Sequence, residues 1–212
     1  MSPSKTTTRT SKDDKRSFLS QDKREKVVRS ESFCCFQTVI YDCAQEMITD
    51  GEWSCADICD KYGDDRDLTY PESFRFLHFT PMRRFFGQIR TVSCLDDNSK
   101  VKEILATDGK GMILVVDGNA SMRRALMGDI IAESAVKNNW KGVIINGVIR
   151  DSAHISKLET LGVLALGTNP RKTERRDLGS IDVPVTFAGI TFRPNEWIYV
   201  DEDGFIASRR QL

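Results

Sequence analysis

The sequence has no surplus of charge of either sign and no long hydrophobic run. Its 212 residues include 31 basic and 31 acidic side chains, so the formal net charge is zero. A general nucleic-acid-binding protein would carry a basic surplus, and we therefore expect no direct nucleic-acid partner. No stretch approaches the roughly 18 apolar residues of a membrane-spanning helix, and no signal-peptide core begins the chain. We expect a cytoplasmic protein that does not bind membranes.

Histidine is scarce, and cysteine pairs with the spacing of metal ligands are missing. The chain has two histidines and six cysteines, none of them in a C-x2-C pair. We predict that the cysteines are reduced thiols, and that Cys55 and Cys59, four residues apart on a predicted helix, pack rather than bind zinc. The segment Gly109–Lys110–Gly111 lacks the G-K-[ST] ending of a phosphate-binding loop, so no nucleotide is predicted.

The chain divides into three parts. Residues 1–32 are polar and almost free of large apolar side chains, which predicts a disordered tail. A mitochondrial transit peptide is the alternative for this segment, although its several acidic residues are unusual in such a sequence. Residues 33–52 place apolar side chains at helical spacing and predict an additional amphipathic helix. Residues 53–212 are expected to form one domain around a single core.

A strand–helix–strand unit is the most informative pattern in this domain. Residues 112–117 (MILVVD) and 141–147 (KGVIING) are rich in β-branched side chains and predict buried parallel strands. The segment between them carries apolar residues at helical spacing, with Asp129 placed to cap the helix. In such units the strand ends and the helix start share one sheet edge, where ligands bind. Five residues are therefore predicted to converge: Asp117, Gly128, Asp129, Arg150 and Asp151.

The chemistry of these five residues suits a small acid and a cation. The backbone N–H groups from Gly128 to Ile131 would favour a carboxylate, which Arg150 could also bind with two hydrogen bonds. Asp151 could hold a hard divalent cation. Each residue also has an ordinary structural explanation: Asp129 as a helix cap, and Arg150 with Asp151 as a surface ion pair.

Further elements are predicted around this unit. Residues 83–95 and 163–168 predict strands, residues 99–109 a helix closed by Gly109, and residues 155–161 a short helix. The C-terminal segment predicts several strands with a hairpin turn at Asp203–Gly204, which also accounts for the acidic residues there. His78 lies in a loop among aromatic residues and is assigned no catalytic role. Residues 168–180 form a polar loop that could border the site or a subunit contact.

From about Cys55 to Ile206 the chain resembles the family of regulator of ribonuclease activity A and 4-hydroxy-4-methyl-2-oxoglutarate aldolase. The segments FFGQIRTVSCLDDNSKVKEIL, GKGMILVVDGNASMRRALMGD, NNWKGVIINGVIRD and FAGITFRPNEWIYVDEDGFIAS carry the resemblance. Aldolases of this family have Asp-x20-Arg-Asp, matched here by Asp129, Arg150 and Asp151. The bacterial regulator has Gln in place of the last Asp.

This resemblance implies an α/β protein with a three-layer β/β/α swivelling-domain fold, assembled as a trimer with active sites between subunits. It implies substrate contacts from Gly128, Asp129, Ile130 and Ile131, a carboxylate clamp at Arg150, and Mg²⁺ or Mn²⁺ on Asp151. One departure is His154, where many relatives have an acidic residue near the metal site.

The leading hypothesis is a class II aldolase that releases pyruvate from 4-hydroxy-4-methyl-2-oxoglutarate-type acids and decarboxylates oxaloacetate through the same enolate. Asp129 is the candidate to orient the water that deprotonates the substrate hydroxyl. Lys110 and Lys141 are expected at the far strand ends, which disfavours a Schiff-base mechanism. The alternatives are a non-catalytic protein that binds a ribonuclease or RNA helicase, and a scaffold with a vestigial site.

Overall fold

The computed structural model describes residues 53–72 and 75–212. The predicted tail (residues 1–32) and amphipathic helix (residues 33–52) lie outside the described residues.

Four parallel strands form the centre of the sheet. They are β3 (Phe85–Ser93), β4 (Ile113–Met127), β5 (Gly142–Ile149) and β6 (Gly162–Thr168), and they lie side by side in that order. Every residue of β5 is buried, as expected for a strand covered on both faces. The strands predicted at residues 112–117, 141–147 and 163–168 are confirmed.

Antiparallel strands extend this sheet on both sides. Beyond β3 lie β10 (Trp197–Val200), β11 (Phe205–Ser208) and β1 (Leu68–Thr69), and β2 (Leu77–His78) forms the other edge beside β6. A short strand, β7 (Ser180–Ile181), also pairs with β3. The expected loop around His78 therefore contains an edge strand.

The strands β8 (Val185–Phe187) and β9 (Ile190–Phe192) form a separate antiparallel hairpin. The hairpin packs its apolar side chains against one face of the parallel strands, and Phe187 and Phe192 pack together with ring centroids 4.7 Å apart. This cluster also includes Phe85, Phe205 and Ile144.

Four helices occur in the described residues: α1 (Cys55–Tyr62), α2 (Ser99–Leu105), α3 (Asp129–Lys137) and α4 (Ser152–Ile155). Apolar side chains of α2, α3 and α4 pack on the face of the parallel strands opposite the hairpin. The mixed α/β prediction is confirmed, and the swivelling-domain class stays a prediction. Two helix boundaries were wrong: α2 ends at Leu105 rather than near Gly109, and the helix expected at 155–161 is α4 at 152–155.

The turn between β10 and β11 explains the acidic residues of the C-terminal segment. Asp201 is only 2% exposed, and its carboxylate accepts hydrogen bonds from the backbone N–H groups of Asp203, Gly204 and Cys55. The turn prediction is confirmed. His78 is likewise structural, because its Nε2 lies 2.8 Å from the carbonyl oxygen of Asp201. Among the described residues, no helix has the length and apolar composition that crossing a bilayer requires.

Candidate active site

The strands β4 and β5 end at the same edge of the sheet, although their pairing is irregular. Asp117 is paired with Asn146 and Met127 with Ile149, so β5 advances three residues while β4 advances ten. The surplus is taken up by register shifts between these two pairs. At the far end the pairing is regular again, and the Arg150 N–H donates to the carbonyl oxygen of Met127 at 2.9 Å.

Gly128 is the residue where β4 meets α3, and it lies against the side chains that follow β5. A Cβ atom at Gly128 would be 2.6 Å from Asp151 Oδ2 and 3.0 Å from Arg150 Nε. The shorter distance means that any side chain here would displace the Asp151 carboxylate, although the backbone itself is ordinary, with φ −133°. Glycine at this position therefore allows the helix start to approach Arg150 and Asp151 closely.

Arg150 and Asp151 form a pair at the end of β5. Arg150 Nε is 3.2 Å from Asp151 Oδ2, and the two side chains are 34% and 37% exposed. The same Oδ2 atom lies 3.4 Å from the backbone N–H of Asp129. Asp151 adopts a left-handed conformation, with φ 56° and ψ 34°, which aspartate tolerates better than most residues. The carboxylate thus joins the two strand ends.

A cavity of about 560 Å³ opens beside this pair. Its lining includes all five predicted substrate contacts: Gly128, Asp129, Ile130, Ile131 and Arg150. The sequence therefore identified residues that the fold brings together. Asp151 is not one of the lining residues and contacts Arg150 and the Asp129 N–H instead.

Two details of the predicted site were wrong. Asp117 lines a different cavity, together with Ser93 and Cys94, and its carboxylate accepts from the side-chain amide of Asn146. It is separated from the candidate site because β4 continues for ten residues beyond it. Asp129 is the first residue of α3 rather than its cap, which is Gly128, and Asp129 Oδ1 accepts from the N–H of Ile130.

The other wall of the cavity comes from Asn98 and from the polar loop after β6. This loop contributes Lys172, Thr173, Glu174 and Arg175. The sequence predicts that this loop borders the site, which is confirmed, but it does not single out these four residues or Asn98. The cavity is lined by three basic side chains, Arg150, Lys172 and Arg175, and by two acidic ones, Asp129 and Glu174. Its charges therefore favour an anion.

Buried hydrogen bonds hold this loop in position. The Thr173 hydroxyl donates to Asn98 Oδ1 at 2.7 Å, and the Ala125 N–H donates to the carbonyl oxygen of Arg171 at 2.8 Å. Asp97 accepts from the backbone N–H groups of Arg176 and Leu178. Burial opposes ionisation of Asp97, but the hydrogen bonds that it accepts outweigh this effect and keep its pKa below the usual value. Hydrogen bonds therefore hold the loop on both sides of the residues that line the cavity.

The remaining predictions concern possible metal ligands, His154 and the two lysines Lys110 and Lys141. Within residues 53–72 and 75–212, no three His, Cys, Asp or Glu side chains form a metal-binding group. His154 Nε2 lies 2.7 Å from Glu133 Oε1 of α3 and so is paired with an acidic residue. Lys110 and Lys141 line a cavity beside Trp197, before the starts of β4 and β5, whereas Lys172 lies in the candidate site.

The architecture is that of an α/β protein with a candidate site at the ends of adjacent parallel strands. Residues 55–207 match the RraA-like family, described as Aldolase/RraA, and the chain belongs to this family.

Similar proteins carry several different names. A protein of Azotobacter vinelandii, named "Putative 4-hydroxy-4-methyl-2-oxoglutarate aldolase", is 47% identical over 156 residues, covering 74% of this chain and 94% of its own. A Geobacillus kaustophilus structure titled S-adenosylmethionine:2-dimethylmenaquinone methyltransferase has a TM-score of 0.72 and 39% identity, covering 76% and 97%. The RNA-processing inhibitor RraA from Thermus thermophilis has a TM-score of 0.70 and 32% identity, covering 76% and 94%.

Proposed function

We propose that the protein is a divalent-metal-dependent aldolase that cleaves 4-hydroxy-4-methyl-2-oxoglutarate-type acids to pyruvate. One observation carries this proposal: Arg150, Asp151 and the start of α3 meet at the edge of one anion-favouring cavity. The aldolase name of the Azotobacter vinelandii relative supports it. The resemblance to aldolases with Asp-x20-Arg-Asp supports the metal dependence.

Arg150 would bind the carboxylate next to the 2-oxo group. Its Nε edge is occupied by Asp151, while its Nη1 and Nη2 atoms make no hydrogen bond or ion pair with the described residues. Asp151 thus orients the guanidinium and leaves its other donors for a substrate carboxylate. The N-terminus of α3 adds positive potential at the same place.

Lys172 and Arg175 would bind the second carboxylate of the substrate. Both line the same cavity as Arg150, so opposite ends of a dicarboxylic acid would each meet a cation. A volume of about 560 Å³ is sufficient for a small acid of this kind.

Asp151 fits a metal ion held through one carboxylate and water. Its side chain is 37% exposed, and Oδ1 makes no hydrogen bond with the residues that the structure describes. Mg²⁺ keeps several waters and needs only one or two carboxylates, so a larger acidic cluster is not required. When bound, Mg²⁺ or Mn²⁺ would supply a Lewis acid that polarises the 2-oxo group.

The cleavage is a retro-aldol reaction. Asp129 orients a water that takes the proton of the C4 hydroxyl, and C4 becomes a carbonyl carbon as the C3–C4 bond breaks. The electron pair of this bond forms the enolate of pyruvate, and protonation at C3 gives a second pyruvate. Arg150 and the positive end of α3 stabilise the negative charge as it develops. Loss of CO₂ from oxaloacetate gives the same enolate, so we propose decarboxylation at the same site.

The deciding experiment measures pyruvate release from 4-hydroxy-4-methyl-2-oxoglutarate and from oxaloacetate, with Mg²⁺, with Mn²⁺ and with EDTA. We expect turnover of both acids with the metals and loss of turnover in EDTA. Full turnover in EDTA would exclude the metal-dependent mechanism. Because Lys172 lies in the cavity, borohydride is added with pyruvate as a second test, and a covalent adduct on Lys172 would identify a Schiff-base mechanism instead.

A second candidate function is suggested by the Thermus thermophilis relative. That protein is described as an RNA-processing inhibitor, and it shares 32% identity and the same fold with this chain. A regulator of this kind would bind a ribonuclease or RNA helicase through its surface and would need no turnover. Inhibition of a ribonuclease by a preparation that releases no pyruvate from either acid would favour this function.

A further inference from the structure

A second cavity, rich in arginine, adjoins the candidate active site. It has a volume of about 310 Å³ and is lined by Asp96, Arg123, Arg124, Arg171, Glu174 and Arg176. Glu174 lines both cavities, so the two lie next to each other at this residue. The arginine-rich cavity has no part in the chemistry described above.

The charge of this region differs from that of the whole chain. The chain as a whole has a formal net charge of zero. The two cavities together are lined by seven basic and three acidic side chains, and Asp151 adds one more negative charge behind Arg150. The positive charge is therefore concentrated around the two neighbouring cavities.

Ion pairs account for only part of these charges. Arg123 is paired with Asp96, and Arg124 with Glu174, at 2.6 and 2.8 Å. Four further side chains are exposed and form no ion pair with any described residue: Arg171, Lys172, Arg175 and Arg176. The surplus of positive charge therefore lies on the polar loop that follows β6.

Hydrogen bonds hold the backbone of the residues that carry these charges. The Arg171 N–H donates to Asn169 Oδ1, and its carbonyl oxygen accepts from Ala125 of β4. The Arg176 N–H donates to Asp97 Oδ2 at 2.6 Å. A fixed array of charges at a cavity mouth focuses the electric field and raises the local concentration of an oppositely charged ligand.

We propose that Arg171 and Arg176 form an electrostatic entrance that draws dianionic acids into the adjoining active site and favours them over monoanions. The inference rests on the proposed function, because the ligand attracted is its dicarboxylate substrate. Arg171 and Arg176 act before the chemical step and at a distance. Their effect therefore falls on kcat/KM and weakens as salt screens the field.

The test uses the full chain with Arg171→Gln and Arg176→Gln combined. A matched control combines Arg66→Gln with Arg75→Gln, which removes the same charge from exposed residues next to the two edge strands, β1 and β2. At about 10 mM ionic strength we expect kcat/KM for oxaloacetate to fall about 5- to 15-fold in the first variant, with kcat within about twofold, which is the effect that two unit charges would have on a dianion across about 10 Å of water. The control variant should match the wild type, and all three proteins should converge at about 0.5 M salt.

A measurement of binding without turnover separates this inference from the proposed function. Malonate, a dianion, and acetate, a monoanion, are titrated into each metal-free protein by calorimetry at low salt. Weaker malonate binding in the Arg171/Arg176 variant than in the control supports the entrance even if no protein releases pyruvate, in which case the aldolase proposal alone fails. Equal malonate binding in all three proteins, or the same loss for acetate as for malonate, would overturn the inference.

Discussion

The backbone of Gly128 lies so close to Asp151 that a Cβ atom on the glycine would be only 2.6 Å from the carboxylate oxygen Oδ2. That oxygen also contacts Arg150 Nε. The space at Gly128 therefore determines where both charged side chains of the site can lie.

Gly128→Ala should reduce activity much more than stability. The new methyl group must displace the partly exposed carboxylate of Asp151, which can move towards solvent at little cost to folding. A misplacement of about 1 Å in a catalytic group can cost roughly 100-fold in rate, and we expect a loss of this order in kcat/KM. Thermal unfolding and pyruvate release are measured together. Gly167→Ala is the control, because its nearest contact is the end of the Met122 side chain at 3.2 Å.

Asp151→Asn should abolish metal-dependent turnover without unfolding the protein. Asparagine keeps the shape of the side chain and tolerates the left-handed backbone at this position, but it lacks the negative charge that would hold the proposed ion. We expect Mn²⁺ affinity, measured by electron paramagnetic resonance, to fall together with turnover. Unchanged Mn²⁺ binding in a folded variant would show that residues other than Asp151 hold the ion.

Arg150→Lys should impair the proposed aldolase activity although the charge is kept. Lysine lacks the planar fork of donors that a carboxylate can accept side by side. Loss of one charge-assisted hydrogen bond costs about 1.5–3 kcal/mol, which corresponds to about a 10- to 150-fold fall in kcat/KM. Ribonuclease inhibition is measured on the same samples. If the wild type releases no pyruvate but inhibits the ribonuclease, and the variant inhibits it equally well, the regulatory function replaces the aldolase proposal.

The buried thiols should be unreactive in the native protein. Burial, followed by the charges of Asp97, Asp117 and Asp96, raises the pKa of Cys94 to about 12. A raised pKa keeps the thiol protonated at pH 8, where only about one molecule in ten thousand would carry the reactive thiolate. Burial and Asp201 also raise the pKa of Cys55.

Alkylation with iodoacetamide at pH 8, followed by peptide mass spectrometry, checks this prediction. Cys59 is only half-buried and should react faster than Cys55 and Cys94, and all three should react after denaturation. Modification of Cys94 as fast as Cys59 in the folded protein would contradict it.

The protein should assemble as a homotrimer or a multiple of one, as the family resemblance implies. Large apolar side chains remain exposed on the single chain, including Met122 at 50% and Ile130 at 71%. Such surfaces are often covered by a subunit contact. Light scattering should give three times 24.0 kDa or a multiple of this mass. A fully active monomer would contradict the prediction.

The sequence was informative where local pattern determines structure. The β-branched runs before Asp117 and Arg150, and the helical spacing after Gly128, correctly placed Arg150 and Asp151 beside the start of α3. The wall formed by Lys172 and Arg175 could not be derived in the same way, because it depends on contacts between residues far apart in sequence, such as Thr173 with Asn98. Asp117 was misplaced because hydrophobic periodicity does not reveal that β4 resumes after an irregular segment.

That irregular segment of β4 has a consequence for how the protein can change. Between the pairs Asp117–Asn146 and Met127–Ile149 it also pairs with β5 at Ser121–Gly147 and Ala125–Val148, and the residues between Ser121 and Ala125 include Arg123 and Arg124 of the arginine-rich cavity. The residues between Ser121 and Ala125 can therefore vary in sequence while these pairs with β5 stay fixed. A donor segment from a relative could be exchanged here to alter which acids enter, leaving Gly128 and Arg150 in register.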